Sequence, residues 1–205
     1  MTYPHLSTGT EADAPEEAAA LYIRAHQKFG AAPLPLALVA MGASPVLFRD
    51  AMLNLEKVIG EIGQSPRGER LTLAVGLAAG VGAPSLAAWF DALADGAGVP
   101  ALLRKGAVEA AITCRAYNGY FRAHSLIDDA ELGAIDVQLR ASPFQQSPLT
   151  KRLLETLCVA VSVANGCKSC ASAHVATALT HGATRPQIDE AIRLQAVIVS
   201  MAAFE

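Results

Sequence analysis

Apolar residues recur along most of this chain three or four positions apart, which is the period of an amphipathic α-helix. Alanine and leucine, both good helix formers, dominate these stretches, and clusters of β-branched and aromatic residues are absent. The pattern therefore predicts an all-α protein.

Short motifs indicate where several of these helices begin and end. Three serine-proline pairs each place a capping hydroxyl before a proline that suits the first helical position: Ser44-Pro45, Ser65-Pro66 and Ser147-Pro148. Thr184 and Gln187 have the spacing of a capping box ahead of the last predicted helix. Gly182 is predicted to end the helix before it.

The chain contains two similar segments, which we interpret as a duplication. Residues 65–85 and 147–167 both begin with Ser-Pro, share an Arg-Leu pair and continue as gap-free runs of apolar positions. After an insertion, residues 95–103 and 181–189 both place Gly-Ala before a proline. We expect a superposition of residues 65–115 on 147–200.

Only the second copy carries reactive side chains in this register. Its four polar or nucleophilic positions align with apolar or small residues of the first copy: Glu155 with Leu73, Cys167 with Ser85, Cys170 with Ala88 and His174 with Ala92. We therefore expect the chemistry to lie in the second copy.

Composition narrows the class of protein. The 205 residues are 52% hydrophobic and 17% charged, enough to bury a large core in one domain or two small halves. The net charge of −3, without a basic stripe, argues against nucleic-acid binding. We expect no signal peptide at the start, which lacks a basic region followed by an apolar core, and the most apolar runs are too short to span a bilayer. We expect a cytoplasmic protein whose first part is a loose arm.

The stretch NGCKSCASAH carries the candidate chemistry. Cys167, Cys170 and His174 stand at i, i+3 and i+7, so they share one face of a helix that begins at Cys167. Both cysteines lie in its first turn, where free amides and the helix dipole stabilise a thiolate. His174 can accept a proton, and Lys168 adds positive charge.

Four hypotheses fit this group of residues. The cysteines can be core residues beside a surface histidine, or they can form a plain disulfide, which a cytoplasmic location disfavours. Structural zinc needs four ligands, and Glu155 is the only nearby fourth candidate. A redox-active pair is the hypothesis we favour.

Glu155 is a carboxylate inside an otherwise apolar helix, and it can simply face solvent. On a straight helix it would lie about 18 Å from Cys167, so the chain must turn at Asn165-Gly166 for Glu155 to take part. Even then it would lie opposite residue 177. A tilt between the helices or a bridging water would have to close the gap to His174.

Taken together, Glu155 and Cys167-x-x-Cys170-x-x-x-His174, with Asn-Gly before the first cysteine, closely resemble the signature of the alkylhydroperoxidase D (AhpD) family. The resemblance covers at least the last hundred residues, and the first hundred look like a degenerate repeat. It implies an all-helical fold with two pseudo-symmetric repeats, assembled as homo-trimers or hexamers. The expected division is an arm over residues 1–30, a degenerate repeat over 31–125 and the site-bearing repeat over 126–205.

The resemblance also implies an activity, the reduction of alkyl hydroperoxides, and thiol-disulfide exchange with lipoylated proteins and an AhpC-type peroxiredoxin. Carried over by position, Cys170 attacks the peroxide, Cys167 resolves the sulfenic acid, His174 takes the thiol proton and Glu155 orients His174. These steps require no metal and no bound organic cofactor.

Other residues and functions complete the prediction. Better-known family members carry a histidine where this chain has Ser169, which affects the tuning of the pair and its reducing partner. Cys114 and Cys158 are predicted to be buried core thiols, and His124 a surface or subunit-contact residue.

Two alternative functions are a thiol-disulfide carrier with little peroxidase activity and a zinc-bound structural or interaction module. The superfamily also includes γ-carboxymuconolactone decarboxylases, which do not rely on a CxxC pair.

Overall fold

The computed structural model describes residue 11 and residues 15–30 and 33–205, and all regular secondary structure in these ranges is helical. The α-helices are α1 (Glu16–Phe29), α2 (Leu36–Met41), α3 (Pro45–Ile59), α4 (Arg67–Val81), α5 (Pro84–Gly96), α6 (Ala101–Ile127), α7 (Ala130–Gly133), α8 (Ser142–Gln145), α9 (Lys151–Ala164), α10 (Lys168–Thr180) and α11 (Arg185–Ala202). The all-α prediction is therefore confirmed. Among these helices, none has both the length and the apolar character that crossing a bilayer requires.

Helices α4 and α9 form the centre of the fold, because both are buried on nearly every side. They pack against each other; α6 and α11 each contact both of them. The contact of α4 with α6 is close: a Cβ at Gly76 would lie 2.9 Å from the carbonyl oxygen of Ala107. Only glycine fits at that crossing.

The same order of elements occurs twice, as α4-α5-α6 and as α9-α10-α11. In each copy a left-handed glycine follows the first helix and another follows the second: Gly82 and Gly98 in one copy, Gly166 and Gly182 in the other. These glycines, and the starts of all three helix pairs, recur 84 residues apart. The third helix of each copy, α6 or α11, packs on the first helix of its own copy and also on the first helix of the other copy.

This spacing corrects the register expected from the sequence, which paired residues 82 apart. In the structural register Leu71 is the counterpart of Glu155, Leu86 that of Cys170 and Phe90 that of His174. The same spacing of 84 holds for the starts of all three helix pairs, so the expected insertion between them is absent. The structural correspondence rests on helix ends, whereas the register from sequence rested on matches of alanine and leucine. Superposition of the two copies remains a prediction, as does the division at residue 125, which falls in the last turn of α6.

The N-terminal part differs from the loose arm expected for residues 1–30. Residues 16–29 form α1, which packs on α3 and buries Ala18, Tyr22, Ala25 and Phe29. These residues follow the helical period and give α1 one apolar face. The remainder of the predicted arm, residues 1–10 and 12–14, lies outside the described residues.

The expected helix starts are partly confirmed. Thr184 and Gln187 form the predicted capping box, and Gly182 follows the end of α10. Ser44 is the N-cap of α3 but makes no capping hydrogen bond. The other two serine-proline pairs precede their helices: α4 has Pro66 as N-cap and α9 is capped by the Thr150 hydroxyl. Proline restricts its preceding residue to extended backbone, so Ser-Pro can mark a loop as well as a cap.

A buried arginine joins the end of α3 to the start of α4. Arg70 is 1% exposed, and its guanidinium donates hydrogen bonds to four carbonyl oxygens: those of Val58, Gly60, Ile62 and Ser65. Glu190 of α11 lies 3.9 Å from the guanidinium and accepts the backbone amides of Gln64 and Ser65. One charge pair thus fixes three helices.

Replacing Arg70 by methionine should lower the free energy of unfolding by about 3–5 kcal/mol, because it leaves the Glu190 carboxylate and several carbonyl groups buried without this partner. Urea unfolding followed by circular dichroism measures the change. The matched control is Arg193→Met, whose partner Asp189 is also exposed, and it should change stability by less than about 0.5 kcal/mol. Equal effects of the two substitutions would contradict the structural role of Arg70.

Candidate active site

The chain reverses direction between α9 and α10, where the sequence predicted a turn. α9 ends at Ala164, and Gly166 adopts a left-handed conformation with φ of 67°. The amide of Cys167 then donates to the carbonyl of Ser162 at 3.0 Å, which closes the turn. Cys167 is the N-cap of α10, and no side chain caps the first amides of that helix. The first turn of α10 therefore presents free backbone donors beside the cysteines.

Cys167 and Cys170 are joined by a disulfide across this first turn, with their Cα atoms 5.3 Å apart. Their environments differ. Cys167 is 2% exposed, whereas Cys170 is partly buried and borders a cavity. A molecule in the cavity therefore meets the sulfur of Cys170 rather than that of Cys167.

Glu155 contacts His174 directly. The imidazole Nδ1 lies 2.6 Å from the Glu155 carboxylate, and the other carboxylate oxygen lies 2.6 Å from Lys151 Nζ. Glu155 is only 6% exposed, so the solvent-facing alternative is wrong. The crossing of α9 and α10 closes the expected gap, and the contact needs no bridging water.

This contact sets the protonation of both groups. Burial disfavours the charged imidazole, but interactions with Cys114 and Glu155 more than offset it and raise the pKa of His174 to about 9. Burial likewise opposes ionisation of Glu155, yet His174 and Lys151 together lower the pKa of that carboxyl. Near neutral pH the pair is therefore a carboxylate and an imidazolium.

A cavity of about 370 Å³ lies between α6, α8 and α10. Its walls are mostly apolar and aromatic, with Cys170 and His174 among the lining residues. The lining residues are Cys114, Tyr117, Asn118, Phe121, Phe144, Ser169, Cys170, Ala173 and His174. Such a cavity suits a small molecule that carries an alkyl group.

Cys114 and Cys158 are buried, as predicted, at 1% exposure each. Their position beside His174 was not predicted: the two sulfurs and a ring nitrogen of His174 all lie within 4.8 Å of one another. The contact with Cys158 contributes most to a lower pKa of the Cys114 thiol, burial opposes it, and His174 adds to the lowering. The same contact, together with burial, raises the pKa of Cys158.

Asn118 and Ser162 complete this buried polar group, and sequence reasoning missed both. The Ser162 hydroxyl donates to the Asn118 side-chain oxygen at 3.1 Å, and the Asn118 amide donates to Cys114 Sγ at 3.6 Å. Cys114 and Asn118 stand four apart, which places them on one helix face. That spacing was the available signal, but it does not reveal which helix they face.

Two other predicted positions lie at or near the site. Ser169 lines the cavity, and its hydroxyl is 3.7 Å from Cys167 Sγ. His124 packs against Tyr120 with ring centroids 4.3 Å apart and is not one of the cavity-lining residues. Ser169 can therefore influence the cysteine pair directly, whereas His124 lies outside the cavity wall.

Residues 130–205 match the sequence profile of the Carboxymuconolactone decarboxylase family. The chain is also similar to proteins named alkyl hydroperoxide reductase AhpD. The one from Caulobacter vibrioides is 31% identical over 158 residues, which are 77% of this chain and 86% of the relative. The one from Anaeromyxobacter dehalogenans is 31% identical over 157 residues, or 76% of this chain and 83% of the relative.

The profile match covers the segment that carries Glu155, the Cys167-Cys170 disulfide and His174. The relatives narrow the class, since the similarity extends across most of both chains. The chain belongs to the AhpD-like family, which confirms the resemblance inferred from its CxxC and histidine motif.

Replacing Glu155 by glutamine should lower the pKa of His174 by about one unit or more, because it removes the negative charge that stabilises the imidazolium. Titration of the His174 ring signals by NMR measures this shift. The raised pKa also makes stability depend on pH: the contribution of His174 is complete below its unfolded value of about 6.5 and is lost as pH rises through about 9.

The matched control for this titration is Glu109→Gln, which removes a carboxylate from an exposed pair with Lys105 on α6. It should leave the pKa of His174 unchanged. A pKa near 9 in the Glu155→Gln protein would show that Glu155 does not set the protonation of this histidine.

Proposed function

We propose that this protein reduces organic hydroperoxides through a dithiol-disulfide cycle of Cys167 and Cys170. The observation that carries the proposal is the position of Cys170: it borders an apolar cavity together with His174, which Glu155 holds at 2.6 Å. Its disulfide partner Cys167 is buried at the helix start. The names of the similar proteins support the same activity.

In the proposed cycle His174 holds the proton of the reduced Cys170 thiol as an imidazolium, and Cys170 attacks the terminal peroxide oxygen as a thiolate. A sulfur-oxygen bond forms, the oxygen-oxygen bond breaks, and the alkoxide leaves as an alcohol with the proton that His174 returns. Cys170 is then a sulfenic acid. Attack by Cys167 forms the disulfide and releases water, and an external dithiol resets the pair by exchange.

Glu155 acts in this proposal as a positioning residue. Its carboxylate accepts the Nδ1 proton of His174, which directs the lone pair or proton of Nε2 away from α9. The free amides at the start of α10 stabilise the Cys170 thiolate. In this proposal side chains and backbone amides of the chain itself carry out the reduction of the peroxide, and no cofactor takes part.

The proposal extends to partners and assembly. A lipoylated protein would serve as the dithiol donor, and an AhpC-type peroxiredoxin would exchange disulfides with the pair. The protein would work in the cytoplasm as a homo-trimer or hexamer. Ser169, in place of a histidine before the second cysteine, would change which dithiol reacts fastest.

A thiol-disulfide carrier with little peroxidase activity is the second candidate, because the closed disulfide at a cavity suits either role. One experiment separates the two. Reduced protein receives one equivalent of cumene hydroperoxide, free thiols are counted before and after, and mass spectrometry locates any new disulfide. Rapid loss of two thiols to a Cys167-Cys170 bridge supports the peroxidase. Thiols that stay free but are oxidised readily by a lipoamide disulfide identify a carrier.

Cys170→Ser should abolish peroxide consumption, because it removes the attacking sulfur. Cys167→Ser should instead allow one turnover and leave a sulfenic acid on Cys170, which a dimedone adduct detects by mass spectrometry. The two variants match in the chemistry removed and differ only in position. Equal residual turnover in both would show that the roles are assigned wrongly.

A further inference from the structure

A second group of sulfur and nitrogen donors lies behind the redox pair. Cys114 of α6, Cys158 of α9 and His174 of α10 bring two sulfurs and a ring nitrogen within 4.8 Å of one another. The two thiols are 1% exposed and form no disulfide. Three separate helices therefore converge on one point with three donors that favour the same metals.

Two thiolates and an imidazole are a zinc ligand set, of the kind that leaves a fourth position for water or substrate. With zinc-sulfur bonds of about 2.3 Å in tetrahedral geometry, ligand atoms lie about 3.8 Å apart. The three donor atoms here lie within 4.8 Å of one another, which exceeds that spacing by at most about 1 Å. Rotation of the cysteine side chains can close this difference. The fourth position would open toward the cavity, whose wall includes Cys114 and His174.

The surroundings of these donors match what a metal centre requires. Glu155 accepts the Nδ1 proton of His174 at 2.6 Å, so Nε2 is the ring nitrogen that a metal ion can take in exchange for its proton. A carboxylate behind a histidine in this way is the usual support of a zinc ligand. The Asn118 amide donates to Cys114 Sγ at 3.6 Å, so one sulfur also has a neighbouring hydrogen-bond donor.

We propose that Cys114, Cys158 and His174 form a zinc site that is distinct from the Cys167-Cys170 pair but shares its histidine. Binding of one Zn²⁺ forms two zinc-sulfur bonds and one zinc-nitrogen bond, and it releases to solvent the protons that the two sulfurs and the Nε2 atom carried. Zinc on His174 withdraws the proton acceptor from Cys170. This regulatory consequence rests on the proposed peroxidase function, whereas the metal binding does not.

The test uses the full chain with both redox cysteines replaced, Cys167→Ser/Cys170→Ser, which retains only Cys114 and Cys158 of its four cysteines. Titration with Co²⁺ as a spectroscopic probe should give sulfur-to-cobalt charge-transfer absorption and the visible bands of a tetrahedral site. Zn²⁺ should then displace the cobalt at one ion per chain. Because the donor cluster is intact in this variant, the measurement does not depend on whether a buried cysteine tolerates substitution.

Further variants in the same background identify the ligands. Cys114→Ser and Cys158→Ser should each remove one thiolate contribution to the charge-transfer band. Glu155→Gln should weaken Zn²⁺ binding by roughly 10- to 100-fold, measured against a chromophoric chelator, because the histidine loses its support. The control Glu109→Gln should bind as the parent does.

Two results would overturn the proposal. One is the absence of cobalt charge-transfer bands in the Cys167→Ser/Cys170→Ser protein, and the other is stoichiometric zinc that is lost in this protein but kept in Cys114→Ser. Neither result bears on peroxide reduction, which is measured by the fate of the Cys167 and Cys170 thiols. Failure of the zinc site and failure of the proposed function are therefore distinguishable.

Discussion

The site depends on the burial of one negative charge. An ionised carboxylate in an apolar helix is stable only when cations and donors surround it, and Glu155 meets this requirement with Lys151 on its own helix and His174 on the next. The second contact fixes the crossing of α9 and α10. That crossing in turn places the imidazole at the wall of the cavity that Cys170 also lines, and beside the two buried thiols. A requirement of charge solvation thus sets the geometry of all the reactive groups.

Local sequence chemistry determined much of what could be predicted. The helical period, the Thr184 capping box and the reversal at Asn165-Gly166 depend on residues close together in the chain, so the sequence reveals them. Features that depend on packing between distant helices were harder to infer. The approach of Cys114 to His174 requires α6 to pack on α9, and the correct repeat register required the observed helix starts. The α1 helix was missed because its apolar face follows a polar, proline-containing start.

The two copies use the same helix start in different ways. In α5 the first-turn amides of Ser85 and Leu86 donate to the carboxylate of Glu205, so a fixed anion occupies that helix end. The corresponding residues of α10 are Ser169 and Cys170, and no side chain caps that helix. The first-turn amides therefore bind a carboxylate in the first copy, whereas in the second copy the same amides are free to donate to a cysteine sulfur. The difference lies in side chains, since the backbone order of the copies is the same.

The unequal burial of the two disulfide cysteines makes them unequal targets for an attacking thiolate. An incoming thiolate must attack in line with the sulfur-sulfur bond, and only the Cys170 sulfur is reached from the cavity. In the proposed cycle the first mixed disulfide would therefore form on Cys170, with Cys167 as the leaving group. In the proposed function, a dithiol carried on a slender, extended arm would fit the space of about 370 Å³ beside Cys170.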